Sequence, residues 1–279
     1  MKVSVIVTTY NRPDALKKVV DGLLCQTRLP SEIIVADDGS GPETGSILAP
    51  YLKIQAPVIC HVRQEDKGFR AARIRNKAIL EATGEYLILL DGDCIPETHF
   101  VADHLALAEH GCFFQGKRVL VNEKQAGRFD HRDVGALGRL MALALGGGIS
   151  NSHHIIRIPF FPAYKTSKIS GIRSCNMGIF KEDVTAVNGF NQAFIGWGRE
   201  DTEFVVRLFR YGLKRKENPF KAICYHLWHR ENSRDKLDEN DSLLERSERS
   251  GSYYCKQGMD CFKHAGYACE SKGEGRFCD

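Results

Sequence analysis

Glu85-Tyr86-Leu87-Ile88-Leu89-Leu90-Asp91-Gly92-Asp93-Cys94 is an apolar run that ends on two carboxylates. Tyr86 to Leu90 is unbroken, contains an aromatic and a β-branched residue, follows Ala82-Thr83-Gly84 and precedes Pro96. That pattern reads as a strand buried on both faces, not as half of an amphipathic helix. In an open parallel sheet, ligands bind beyond the carboxyl ends of the strands, so Asp91 and Asp93 stand where chemistry would be done. The period of 2 in an extended chain puts both side chains on one side, with Gly92 leaving room between them. Such a pair suits a hard divalent cation and the diphosphate it would hold. Asp and Gly also form turns, and a strand that simply ends in a turn is the plainer reading.

Towards the N-terminus, Val3–Thr9 reads as a strand, and Pro13-Asp14 opens a helix to about Cys25 with Leu16, Val19, Val20, Leu23 and Leu24 on one face. Glu32 to Ala36 is a second buried strand and ends on Asp37-Asp38-Gly39-Ser40. A helix over about 43–52, a strand over 58–62 and a basic helix over 70–83 follow. Strands alternating with helices indicate βαβ units, a parallel sheet and an α/β fold.

Thr8-Thr9-Tyr10-Asn11, Asp37-Asp38-Gly39-Ser40, Arg75-Asn76 and Asp91-Gly92-Asp93 fall in an order and spacing that resembles the family-2 glycosyltransferases over about residues 1–100. Those are inverting enzymes with the nucleotide-sugar-binding GT-A fold. The resemblance implies a mixed, mostly parallel sheet flanked by helices. It also implies that Asp38 contacts the uracil of a UDP-sugar, and that Thr8, Tyr10 and Asn11 flank the nucleotide. Arg75 and Asn76 would lie near ribose and phosphates, Asp91 with Gly92 beside it would face the ribose, and Asp93 would bind the metal.

The second half is read as a helix over about 97–110 and a strand over about 113–121. Leu137 to Leu145 is a helix that runs into Gly146-Gly147-Gly148 and an apolar stretch from Ile155 to Pro162. A helix packed on the sheet is the plain reading; an acceptor lid or a membrane-surface contact is the other. Gly171 to Gly178 resembles the segment that contributes to the acceptor side in these enzymes, which makes Asn176 a candidate acceptor contact. In Phe194-Ile195-Gly196-Trp197-Gly198-Arg199-Glu200-Asp201-Thr202-Glu203-Phe204, three acids crowd the first turn of a helix to about Tyr211. Acids there favour the helix dipole and would serve as caps. Gly-Trp-Gly upstream offers a flat ring to the apolar face of a sugar.

The same segment resembles the Gly-Trp-Gly-x-Glu-Asp motif of β-1,4-galactosyltransferases and bacterial chondroitin polymerases, with Arg199 where Gly is usual. That implies Asp201 as catalytic base, Glu200 as a hydrogen-bonding partner of the sugars, and Trp197 and Gly198 as acceptor contacts. Ala222 to His229 is a strand entering His-x-x-His, whose residues i and i+3 point to opposite faces unless the strand ends between them. Lone histidines are more often packed than ligating. Related enzymes place a metal ligand just after this strand, so His226 and His229 are candidate ligands.

At 279 residues, 43% hydrophobic and 27% charged, the chain is ordinary for a globular protein. The expected division is a catalytic domain over 1–232, with a nucleotide-binding half to about residue 100 and an acceptor half after it, and a polar, helical or disordered tail over 233–279. Cys25, Cys60, Cys94, Cys112, Cys175 and Cys224 are scattered singly through apolar segments and are expected to be reduced, buried residues; Cys255, Cys261, Cys269 and Cys278 cluster near the end, where a structural zinc is the alternative although none makes a Cys-x-x-Cys pair. The net charge of +4 divides into a basic body over 1–230 (31 Lys+Arg against 24 Asp+Glu) and an acidic end over 231–279 (8 against 11); the basic body suits an anionic small molecule or membrane surface, and no basic stripe interleaved with aromatics points to nucleic acid. No run of about 18 apolar residues exists, and the apolar start is too short for a signal peptide. The expected location is the cytoplasm, with a peripheral contact at the inner face of the membrane.

The expected reaction is inverting transfer of a hexosyl unit from a UDP-sugar to a glycan or glycolipid hydroxyl with Mn²⁺ or Mg²⁺, in bacterial surface polysaccharide or lipopolysaccharide synthesis. Two alternatives stay open. A sugar-nucleotide pyrophosphorylase should open with a Gly-rich phosphate loop, which Thr8 to Pro13 is not. A non-catalytic sugar-binding protein would keep Trp197 but need neither Asp93 nor Asp201.

Overall fold

Alternation along the first strands builds two cores, one on each face of a sheet. In β1 (Val3–Thr9), Val3, Val5 and Val7 enter one cluster and Ile6 the other. In β2 (Glu32–Asp37), Ile33 and Val35 oppose Ile34 and Ala36 in the same way. β3 (Val58–Arg63) follows, and in β4 (Tyr86–Asp91) Tyr86, Ile88 and Leu90 oppose Leu87 and Leu89. On the first face lies α1 (Pro13–Leu24), through Leu16, Val19, Val20 and Leu23; α2 (Pro42–Leu48) follows β2. On the second lies α3 (Ala71–Glu81), through Ala72, Ile74, Ala78 and Ile79. The computed structural model describes residues 1–263 and 277–278.

The remaining strands are β5 (Cys94–Pro96), β6 (Cys112–Gln115), β7 (Lys117–Val121), β8 (Ile149–Ser150), β9 (Tyr164–Thr166), β10 (Asn176–Phe180), β11 (Lys214–Glu217), β12 (Ile223–Leu227) and β13 (Phe277–Cys278). The main sheet runs β13-β3-β2-β1-β4-β10-β6-β11-β9, and a second sheet runs β5-β12-β7-β8. β3, β2, β1 and β4 are parallel neighbours, and β10 enters antiparallel beside β4. The register sets Thr8 against Asp91 and Thr9 against Asp37, so the acidic strand ends form one rim. The helices of this half are α4 (Phe100–Leu107), α5 (Glu123–Ala126), α6 (His131–Val134), α7 (Leu137–Leu145), α8 (Lys181–Ala186), α9 (Glu200–Tyr211), α10 (Leu237–Ser250) and α11 (Asp260–Lys263).

Two expectations are corrected, and one strand is added to those expected. The single strand over 113–121 is two strands in different sheets, broken at Gly116. A Cβ there would meet the Asn176 amide at 2.2 Å, so only glycine lets the chain pass at this point. β10, the antiparallel insert, carries no strand signal of its own beside its turn-like Cys-Asn-Met-Gly. The segment after 232, expected as a polar, helical or disordered tail, holds the helix α10 and packs against α9. Arg210 of α9 donates to the carbonyls of Ser247 and Glu248, and Ser247 Oγ donates to Glu203 at 3.0 Å. Cys255, Met259 and Phe262 are buried, and Met259 belongs to the second core. Residues 264–276 and 279 lie outside the described residues. Cys25, Cys60, Cys94, Cys112, Cys175, Cys224, Cys255 and Cys261 are free thiols, all but Cys25 and Cys261 buried.

Candidate active site

The strand-end rim and the start of α9 meet through one guanidinium. Arg75, almost fully buried, reaches Asp91 Oδ1 at 3.4 Å and Glu200 Oε1 at 3.2 Å, and its Nε donates to Thr8 Oγ1 at 3.3 Å. Burial alone would penalise this cation, but the carboxylates of Asp91, Glu200 and Asp201 outweigh it. Asp91 is pushed up by burial, against the pull of Arg75. Asp201 accepts from the backbone N–H groups of Thr202 at 2.8 Å and Ser174 at 3.3 Å. Burial, and next the charge of Glu200, still raise its carboxyl from 3.8 to about 7. Such a group exchanges protons at neutral pH, which is what a general base does.

The loop before α9 explains where these acids sit. Gly196 and Gly198 have φ of 78° and 104°, and Arg199, which caps α9, is left-handed at φ 76°. A glycine would hold that conformation without strain; Arg199 holds it while paired to Asp241 of α10. Trp197 is 40% exposed beside this turn, and the Arg234 guanidinium lies 5.3 Å from its ring centre. Asn240 of α10, buried, donates to the carbonyls of Gly198 at 3.0 Å and Ile195 at 3.2 Å. α10 therefore fixes the Gly-Trp-Gly loop from behind.

Asp91 and Asp93 do not face one partner, because β4 ends at Asp91 and the chain turns before β5. Asp93 looks instead to the end of β12. That strand stops at Leu227, between the two histidines. His226 Nε2 lies 3.6 Å from Asp93 Oδ1 and His229 Nε2 lies 3.4 Å from Oδ2. Ligand atoms of the three fall within 4.8 Å of one another. Burial, then the nearby Arg118 cation, hold the His226 imidazole neutral by lowering it to about 3. One carboxylate oxygen and two imidazole nitrogens fit a first-row divalent ion such as Mn²⁺ better than Mg²⁺, which prefers oxygen alone. Arg12 also reaches this cluster, with Nη1 2.5 Å from Asp93 Oδ2.

On the nucleotide side, Tyr10 is 40% exposed and its hydroxyl donates to Asp66 at 3.0 Å. Asn11, left-handed at φ 48°, accepts from Gly41 N–H and donates its own N–H to Ser40 Oγ. Asp38 is nearly buried, accepting from Gln64 Nε2 at 2.5 Å and Arg70 N–H at 2.7 Å. Its neighbour Asp37 is engaged by His61 and Ser40.

Three expected contacts have other duties. Asn76 is fully buried and exchanges both hydrogen bonds with the Phe190 backbone, at 2.7 and 2.8 Å, so its amide ties α3 to the chain before α9 and does not reach a ribose. Asn176 is buried among His104 Nε2 and the carbonyls of Lys117 and Ala222, where it joins the two sheets instead of facing an acceptor. Gly92 leaves no room between the acids: its N–H donates to Thr8 O at 2.7 Å, and a Cβ would meet that oxygen at 2.9 Å. It keeps β4 against the end of β1. Arg12 and Asn240 carry no local signal of their roles: Arg12 stands between Thr8 and Pro13, but its partner Asp93 lies 81 residues away.

The family described as Glycosyl transferase family 2 matches residues 4–182, and that described as N-terminal domain of galactosyltransferase matches residues 157–230. The chain is 30% identical over 226 residues to hyaluronan synthase from Pasteurella multocida, covering 75% of this chain and 23% of the relative. It is 29% identical over 225 residues to validoxylamine A glucosyltransferase from Streptomyces hygroscopicus subsp. limoneus, covering 75% and 48%. Chondroitin synthase from Escherichia coli is 24% identical over 238 residues, covering 80% and 34%. The chain thus spans less than half the length of each of these relatives. TarS 1–349 from S. aureus, solved with UDP-GlcNAc, has a TM-score of 0.61 at 18% identity, covering 88% of this chain and 66% of that one. Mannosyltransferase PcManGT from Pyrobaculum calidifontis, solved with GDP-Man and Mn²⁺, has a TM-score of 0.54 at 19% identity, covering 81% and 56%. These likenesses establish the fold as the expected GT-A type.

Proposed function

The chain belongs to glycosyl transferase family 2, and from that premise we propose that it moves a hexosyl unit from a UDP-sugar to a hydroxyl of a glycan or glycolipid acceptor, with inversion. The observation that carries the reading is the Arg75 bridge. It joins the acidic rim at Asp91, where a donor would lie, to Glu200 beside Asp201, a carboxyl with the proton affinity of a base at neutral pH. A binding module has no use for a carboxyl kept at that expense.

In this mechanism Asp201 Oδ takes the proton from the acceptor hydroxyl as the oxygen attacks the anomeric carbon from the face opposite the leaving diphosphate. The Thr202 and Ser174 N–H groups fix where that carboxylate points. Glu200, held by Arg75, hydrogen-bonds a sugar hydroxyl, and the exposed Trp197 ring offers a stacking face to the acceptor, as the Gly-Trp-Gly-x-Glu-Asp motif suggests. Tyr10, Thr8 and Asp38 border the nucleotide. Asp93, His226 and His229 would hold the divalent ion, which as a Lewis acid supplies charge neutralisation for the departing diphosphate. A peripheral membrane contact would rest on the exposed Leu137, Met141 and Leu145 stripe of α7, whose spacing of four puts the three on one face.

A panel of UDP- and GDP-sugars assayed with Mn²⁺ for transfer and for slow donor hydrolysis tests the reading. Turnover of at least one UDP-sugar is expected. Donor binding without turnover would favour a sugar-binding protein, and pyrophosphate-dependent release of UTP would favour a pyrophosphorylase.

A further inference from the structure

Arg12 sits within the cluster that would bind the ion. Its Nη1 is 2.5 Å from Asp93 Oδ2, the oxygen that also faces His229, and its Nη2 donates to the Trp228 carbonyl at 3.3 Å. The backbone beneath it is fixed on both sides. Asn11 is pinned to Ser40 and Gly41, and Pro13 opens α1, with Leu16 N–H bonded to the Arg12 carbonyl at 3.0 Å. The side chain itself is 31% exposed, so it is the part free to move.

Charge then sets up a competition. Asp93 is the one carboxylate of the cluster, whose other two members are imidazoles and bring no negative charge. A guanidinium and a divalent ion cannot both be satisfied by one carboxylate, and at a few ångströms they repel each other. A diphosphate changes the count, because it brings enough negative charge for both cations. A guanidinium also matches phosphate oxygens in a two-pronged geometry that an ammonium does not.

We propose that Arg12 is a displaceable counter-ion. It holds Asp93 until a nucleoside diphosphate arrives, then yields Asp93 to the divalent ion and pairs with the diphosphate. Ion and nucleotide therefore bind with positive coupling, each strengthening the other by the same factor. This rests on the reading of Asp93, His226 and His229 as ion ligands.

The test is a Mn²⁺ titration of the full chain, read by the electron paramagnetic resonance of free Mn²⁺, with and without UDP. Without UDP, Arg12→Gln should bind Mn²⁺ about 5-fold tighter than the wild type, the size expected for removing one partly exposed ionic competitor. The strengthening of Mn²⁺ binding by UDP should shrink by about 10-fold in Arg12→Gln and less in Arg12→Lys, which keeps the charge and loses the fork. Unchanged or weaker Mn²⁺ binding by Arg12→Gln without UDP, at a wild-type melting temperature, overturns the proposal. Asp93→Asn separates the two levels. If it binds Mn²⁺ as well as the wild type does, the ion-ligand reading itself fails, and this inference with it.

Discussion

Replacing Asp201 with Asn tests the base against the cap, because the two roles predict opposite behaviour with pH. Asn keeps one acceptor oxygen for Thr202 N–H or Ser174 N–H and leaves the other donor without its partner, a loss of about 1 kcal/mol. The fold disfavours the charged carboxylate, since it raises the group from 3.8 to about 7. For a carboxyl shifted upward, that cost is absent below about pH 4, grows between pH 4 and 7, and is complete above 7. Full burial would make it on the order of 4 kcal/mol, and the partial exposure of Asp201 brings it nearer 2 kcal/mol. Asp201→Asn should therefore melt slightly below the wild type at pH 4 and at or above it at pH 8.

Activity should move the other way. Wild-type kcat/KM should climb about 10-fold per pH unit below 7 and level off above it, as Asp201 loses its proton. Asp201→Asn should lose about 10²-fold or more in kcat, with the climb gone and UDP affinity kept. Thermal melts and a kcat/KM profile from pH 5 to 9 on both proteins decide the matter. Near-normal turnover in the variant, or a persisting inflection near pH 7, would refute the assignment and leave Glu200 as the next carboxylate to test.

Asp93→Ala should weaken UDP binding in Mn²⁺ far more than in EDTA; equal weakening by calorimetry in both buffers would mean that Asp93 serves the fold alone. Truncation after residue 232 removes Asn240 from the Gly-Trp-Gly loop and Ser247 from Glu203, so the 1–232 fragment should melt several degrees lower and lose acceptor turnover before donor binding. A fragment with full-length kcat would show that α10 does not position the loop. Gly116→Ala should destabilise by about 1–3 kcal/mol in urea titrations, because the Asn176 amide that its Cβ meets is held by three partners and cannot step aside.

The sequence by itself determined the layered half of the protein. The near-continuous apolar runs of β1, β2 and β4 report burial on both faces, which is what a parallel sheet between helix layers requires. The acidic strand ends, the start of α9 at Glu200 and the His-x-x-His exit of β12 were legible for the same reason: each is a local signal confined to a few residues. Tertiary structure decided which polar group meets which. Asn76 looked available until Phe190, 114 positions away, took both ends of its amide. Arg75 finds Glu200 across 125 positions, and Arg12 finds Asp93 across 81. The break at Gly116 was likewise invisible, because glycine's role there depends on Asn176 arriving from β10. Nor could the composition of 233–263 show which surface α10 lies against, since the hydrogen bonds that seat it go to backbone carbonyls and side chains far away in the chain. Periodicity records which face of an element is covered; the partner of a buried donor or acceptor is fixed only when distant segments close around it.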